Sequence, residues 1–214
     1  MKIISVQVGL PREVVYKGRT VTTGIFKQPV AGRVMMRTLN LDGDGQADLT
    51  VHGGAAKAVY AYPAEHYELW RGELPEIDFL PGIFGENLTI AGLREDEVNI
   101  GDRFRLGAAE LVVTQPRLPC YKLGVRFGRD DIIRHFLHSR RTGVYFAVLK
   151  EGEIGAGDEL ELLSRATEPF TVADLTELYV SDRKNLAKLQ QAAAVSALPE
   201  GWRGWIQRQI ESLG

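Results

Sequence analysis

Hydrophobic and polar positions alternate in short bursts through the first three quarters of the chain, then change to a helical spacing. The bursts predict strands over 3–8, 32–39, 58–62, 88–90, 104–106, 111–114, 144–149 and 160–163. Each is rich in β-branched or aromatic residues and bounded by Gly, Pro, Asn or Asp. Helical stretches are predicted at 64–71 and 130–137. Many short strands with frequent turns predict a mainly β fold with α, built on a closed or nearly closed β-barrel. After Leu163 the character changes. Thr171, with Asp174 three residues on, approximates a capping box. Ser181 is the expected cap of a second helix running through Leu186 and Leu189 to Ala194. A third helix follows Pro199 and carries Trp202, Trp205, Ile206 and Ile210 on one apolar stripe. The chain thus divides into a β-barrel over 1–165 and a small C-terminal three-helix subdomain over 166–214.

The 214 residues, 44% apolar and 25% charged, are ordinary for a globular protein and sufficient for one large domain with an appendage. A net charge of −2 recruits neither nucleic acid nor membrane, and the third helix is not notably basic. No run approaches the roughly 20 apolar residues of a membrane span. The opening MKIISVQVGL alternates like a strand, unlike a signal peptide. A single cysteine without an export signal points to a reducing cytoplasm. The charge is uneven. Over 115–141, seven cations face two carboxylates, leaving +5 there and −7 over the rest. Such a stretch suits a small anionic ligand, or is a solvated basic face.

The one cysteine, Cys120, lies in Gln-Pro-Arg-Leu-Pro-Cys-Tyr-Lys (115–122). Prolines 116 and 119 predict a stiff loop and no helix there. Arg117 and Lys122 bring positive charge toward the sulfur, favouring the thiolate that attacks electrophiles or binds soft metals. The alternative is a small buried hydrophobe. In Val-His-Gly-Gly-Ala-Ala-Lys (51–57), Gly53 and Gly54 let backbone N–H groups approach a ligand, with His52 and Lys57 beside them. This suits an oxyanion or phosphate, or is a simple hairpin turn. The spacing is not that of a Walker loop. In Phe-Gly-Glu-Asn-Leu (84–88), Glu86 is a candidate proton donor and Asn87 a candidate holder of a polar edge, unless the Asn closes a turn. Asp42 to Asp48 resembles the start of a calcium loop, but Ala47 and Gly53 occupy the positions that need Gly and Glu. His135 and His138 lack the intervening Glu of a zincin helix, and no G-x-S-x-G elbow is present.

Four motifs stand in order: VHGG-x-x-KAVY-x-YP (51–63), FGENL (84–88), Arg-x-x-Cys (117–120) and Arg-Thr-Gly-Val-Tyr (141–145). With the three-helix tail they resemble, over nearly the full length, a MOSC domain protein of the YiiM-like branch. The resemblance implies a barrel that holds the molybdenum cofactor, with molybdenum bound to molybdopterin and ligated by Cys120. A soft thiolate suits such a metal. It further implies Asn87 and Arg117 near the cofactor, and Thr23, Lys27, His52, Gly53, Gly54 and Lys57 at its phosphate end. Arg141 would close the anion pocket or simply pair with an acidic neighbour, and Glu86 would join Cys120 and Asn87 as a catalytic residue. The implied activity is reduction of N-hydroxylated compounds such as 6-hydroxylaminopurine, a detoxification. Electrons would come from a separate flavin- or iron–sulfur-containing reductase, because one cysteine cannot hold a four-cysteine cluster. Expected partners are therefore a small N-hydroxylated substrate and that reductase, with a homodimer left open. The alternatives are a cofactor carrier or sulfur-transfer protein using a Cys120 persulfide, and a non-enzymatic binding module.

Overall fold

The computed structural model describes residues 1–48 and 53–214. The apolar bursts become strands β1 (Lys2–Val8), β5 (Arg33–Met36), β6 (Val59–Pro63), β7 (Leu88–Ala91), β8 (Arg103–Leu106), β9 (Ala109–Pro116), β10 (Val144–Lys150) and β12 (Leu160–Ser164). The structure adds β2 (Arg12–Tyr16), β3 (Arg19–Thr23), β4 (Gln28–Pro29) and β11 (Gly152–Gly155). Helices are α1 (Glu65–Glu73), α2 (Tyr121–Phe127), α3 (Ile132–Ser139), α4 (Val172–Val180), α5 (Leu186–Ala193) and α6 (Glu200–Glu211).

Eight strands form one sheet in the order β12-β8-β9-β10-β6-β7-β1-β4. Its pairs are antiparallel except β6–β7. A parallel pair needs a crossover, and the segment carrying α1 supplies it. The sheet curls: Ile3 N–H donates to Asp158 O and Leu160 N–H to Met1 O, both at 2.9 Å. These bonds bring β1, beside one edge, against the residues entering β12 at the other. The expected closed barrel is not found, since a single isolated bridge, Lys2 to Glu159, marks the seam. Beyond the buried Leu160, residues 161–164 of β12 are exposed. Apolar burial therefore gives no drive for a longer seam.

Other departures have local causes. The β2–β3 hairpin turns on Lys17 and Gly18, both at positive φ, without the Asn-Gly or Asp-Gly that signals such a turn. The expected proline loop shrinks to 117–120, because β9 runs through Pro116 and α2 starts at Tyr121. Pro119 constrains itself and its predecessor but leaves Tyr121 free to be helical. Ser181 does not cap α5. Its hydroxyl bonds back to Glu177 O at the end of α4, and Asn185 Oδ1 takes the cap by accepting from Lys188 N–H at 3.0 Å. The Thr171–Asp174 capping box forms in both directions, at 3.0 and 3.1 Å.

A single apolar core runs from the strands into the helices, joining Ile90, Leu111, Val113 and Phe146 to Leu175, Leu189, Trp202 and Ile206. The helical subdomain shares this core with the sheet. A second cluster, around Trp70, Tyr62, Phe84 and Phe136, fills the space under α1–α3. Among the described residues no helix is long and apolar enough to cross a membrane.

Candidate functional site: a cationic cavity beside Cys120

The cavity is assembled from the ends of strands. β9 delivers Arg117, whose guanidinium donates to Phe84 O. The same guanidinium lies 4.7 Å above the Tyr60 ring and 5.8 Å from that of Phe136. It keeps its proton at any physiological pH, so it is a fixed positive charge in a mostly buried wall. Cys120 follows, half-buried, unpaired and directly before α2. Lys122 enters from the first turn of α2 and is largely buried.

The opposite wall follows β3. Gly24 is required there by space: a Cβ would sit 2.2 Å from Gly45 O, so only glycine lets the two loops meet. Lys27 is buried and paired with Asp44. Asp44 also accepts from Gly9 N–H and from Asn87 Nδ2, each at 2.9 Å. Asn87 Oδ1 in turn accepts from Tyr60 N–H at 3.1 Å. This chain of bonds ties the loops at 27, 44 and 87 to β6. Gly53 and Lys57 close a third side, and Tyr60 and Tyr145 complete the lining. The cavity proper is narrow, about 100 Å³, and opens into a mouth that brings the empty space to about 670 Å³ with open solvent included.

The electrostatics favour an anion. Lys27, Lys57, Arg117 and Lys122 line the cavity. Asp44, the carboxylate nearest to them in the network, is already held by Lys27 and Asn87. Burial lowers the pKa of Lys57. It also lowers that of Lys27, against the opposing pull of Asp44. Burial raises Tyr145, so its phenol keeps its proton.

Seven of the expected residues come together on this cavity: Thr23, Lys27, Gly53, Lys57, Asn87, Arg117 and Cys120. Gly54 instead lines an adjoining cavity. His52 lies outside the described residues. Two further candidates lie away from the cavity. Glu86 does not line the cavity but sits fully buried behind Asn87. It accepts from Tyr67 OH, Gly82 N–H (2.6 Å), Phe84 N–H (3.1 Å) and Thr89 OH (3.2 Å). Burial raises its pKa, those donors pull the other way, and its carboxylate serves to shape loop 82–87. Arg141 pairs with Glu73 at 2.7 Å and lies over Trp70, away from the cavity. Two of the four remaining cations of the basic stretch are likewise paired at the surface: Arg129 with Asp131 and Glu76, and Arg140 with Glu177.

Asp44 and the two tyrosines are the lining or bracing groups that sequence reasoning missed. The acidic turn 42–48 held the signal for Asp44, but it was weighed only against calcium. Among the described residues no group of three or more His, Cys, Asp or Glu side chains is placed to hold a metal. A metal bound here must bring most of its own ligands.

Comparison with known proteins agrees with this geometry. A MOSC domain model matches residues 48–161, and a YiiM-like, 3-alpha helix domain model matches 170–213. YflK of Bacillus subtilis is 42% identical over 211 residues, covering 99% of this chain and 95% of that protein. The crystal structure of YiiM from Geobacillus stearothermophilus superimposes with a TM-score of 0.82 at 34% identity, covering 98% of each chain. A Gibberella moniliformis protein named Reductase is 36% identical over 161 residues, which is 74% of this chain and 28% of that protein.

Proposed function

The chain belongs to the MOSC domain family, in its YiiM-like branch with the three-helix extension, and from that premise we propose a molybdenum-cofactor-dependent reductase of N-hydroxylated compounds. The observation that carries this reading is one soft thiol converging with four cations on a single cavity. That donor set fits the cofactor. Cys120 would hold the metal, which otherwise arrives chelated by the sulfurs of its pterin. Lys27, Lys57, Arg117 and Lys122 would hold the phosphate end. Glycine-lined walls leave room for close backbone approach.

When bound, the cofactor supplies the two-electron redox change. The overall reaction breaks the N–O bond: R–NH–OH, two electrons and two protons give R–NH₂ and water. The electrons must come from a separate flavin or iron–sulfur protein, since this chain's single cysteine cannot build a four-cysteine cluster. The Gibberella moniliformis reductase supports that view, as most of its length lies outside the region shared with this chain. Arg117 and Lys122 orient the anionic end and offset its charge. Tyr145, held protonated, is a neutral hydrogen-bond donor in the wall. Glu86, sealed behind Asn87, does not reach the reacting atoms.

The test is Cys120→Ser in anaerobically purified protein. Molybdenum measured by elemental analysis should be lost, while the melting temperature stays within about 2 °C, as expected for a small change at a half-buried site. Retained metal and retained 6-hydroxylaminopurine reduction in this variant would remove the ligand assignment. Wild-type protein free of molybdenum but carrying sulfane sulfur on Cys120 would favour the carrier reading.

A further inference from the structure

We propose that Arg12 and Arg126 form a second oxyanion site, outside the Cys120 cavity, that takes a phosphate or sulfate group; it goes beyond the reductase reading and does not depend on it. Arg12 opens β2, and Arg126 lies near the end of α2. Both guanidinium carbons lie over the one ring of Phe26, at 4.2 and 5.3 Å from its centroid. Two cations brought to one ring repel each other. The ring offsets charge but accepts no strong hydrogen bond, so the N–H donors of both side chains still call for oxygens.

The neighbouring carboxylates do not meet that demand. Among the described residues neither guanidinium has a hydrogen bond or an ion pair, and Arg126 Nε is buried without a partner. Buried donors are almost always bonded. The charge of Glu86 acts on Arg126, but its oxygens are taken by Tyr67, Gly82, Phe84 and Thr89. Asp130 is held by Tyr16 and Lys17, and Asp131 by Arg129. Glu13 follows Arg12 within β2, where successive side chains point to opposite faces. Burial depresses the pKa of Arg126; Glu86 opposes this, and the charge of Arg12 adds to it.

The pair continues the field of the cavity outward. Arg126 stands four residues after Lys122, on the same side of α2, and Lys122 lines the cavity. Arg12 stands opposite Thr23 in the β2–β3 ladder, and Thr23 lines the cavity too. Phe26 lies between two further lining residues, Ile25 and Lys27, yet neither Arg12 nor Arg126 is part of the lining. The site is therefore beside the cavity and separate from it. A guanidinium presents a planar fork that matches the oxygens of phosphate or sulfate, and two of them suit a dianion. Arg12 is exposed and Arg126 half-buried, so an anion reaches them from solvent and breaks no existing bond of either. Held between them, it would tie the β2–β3 hairpin to the helix that follows Cys120.

The test is a titration of the purified, cofactor-free full chain with inorganic phosphate at neutral pH, with ionic strength held constant by chloride. The readout is the Arg126 Nε–H resonance in proton–nitrogen NMR, assigned by its disappearance in Arg126→Lys. A saturable shift is expected. Arg12→Gln, an exposed change that leaves the melting temperature within about 2 °C, should weaken binding about fivefold. Lys122→Ala should leave the midpoint where it is, because Lys122 serves the cavity. Calorimetry on Lys122→Ala gives the same midpoint by an independent route. Methyl phosphate binding as well as phosphate would assign the site to the end of a phosphomonoester, and methyl phosphate failing to bind would assign it to the free ion. A shift that never saturates, that keeps its midpoint in Arg12→Gln, or that responds to Lys122→Ala as strongly as to Arg12→Gln overturns the site. Molybdenum plays no part in this readout, so its result stands apart from that of Cys120→Ser.

Discussion

Two aromatic clusters border the cationic cavity or the cavity next to it, and they differ in what their rings meet. Under α1–α3, Trp70 is fully buried, donates Nε1–H to Tyr62 OH at 2.7 Å, and stacks 6.3 Å from Phe136. Tyr62 stacks 4.3 Å from Phe84, whose carbonyl receives Arg117. Trp70, Tyr62, Phe84 and Phe136 are fully buried and act as a buttress that fixes Arg117, while Tyr60 of the same cluster reaches the cavity. The Tyr179–Trp202–Trp205 cluster packs on the core through Trp202 but ends in a cavity. An aromatic stripe therefore does not declare whether it supports a site or lines one. Residual exposure decides.

The largest expected effect is on the buttress. Trp70→Ala should cost about 3–5 kcal/mol in urea denaturation, the range for emptying a sealed aromatic position. A loss below about 1 kcal/mol would mean the cluster is not the support described. Asp44→Ala should cost about 3 kcal/mol by the same measurement, because it strands Lys27 as an unpaired buried charge. Lys122→Ala should lower sulfate affinity in calorimetry about fivefold, the loss of roughly one charge-assisted contact, and leave folding stability near wild type. Unchanged affinity would place the anion elsewhere.

A pH series sharpens the same contrast. Burial depresses the pKa values of Lys27 and Lys57, so raising pH discharges them earlier than ordinary lysines near 10.4. Sulfate affinity should therefore fall between neutrality and pH 10. The smallest effect is on the open cluster: Trp205→Leu should cost about 1 kcal/mol or less in stability, since the ring is only half-buried.

What was legible beforehand follows the separation of the residues involved. Thr171 and Asp174 are three apart, and their capping box was readable from the chain. Arg117, Cys120 and Lys122 span six residues and reach one cavity together. Lys27, Asp44 and Asn87 come from three distant loops, so their mutual bonds had no local signature. Glu86 and Asn87 are neighbours, and which one faced the cavity depended on how the chain enters β7. The hairpin at 12–23 is mostly exposed and lacked the apolar alternation that marks other strands. Most apolar strands were foreseeable; the incomplete seam was not, because it depends on contacts between the two ends of the 1–165 region.

The chain by itself determined its β-then-α order, the helical caps and the reactive loop, because these depend on periodicity and on residues within a few positions of one another. Tertiary structure decided which cations turn inward, which aromatics stay open, and that an acidic turn braces a lysine. Those outcomes depend on burial and on contacts between distant loops, and they exist only once the sheet has curled and the helices have docked upon it.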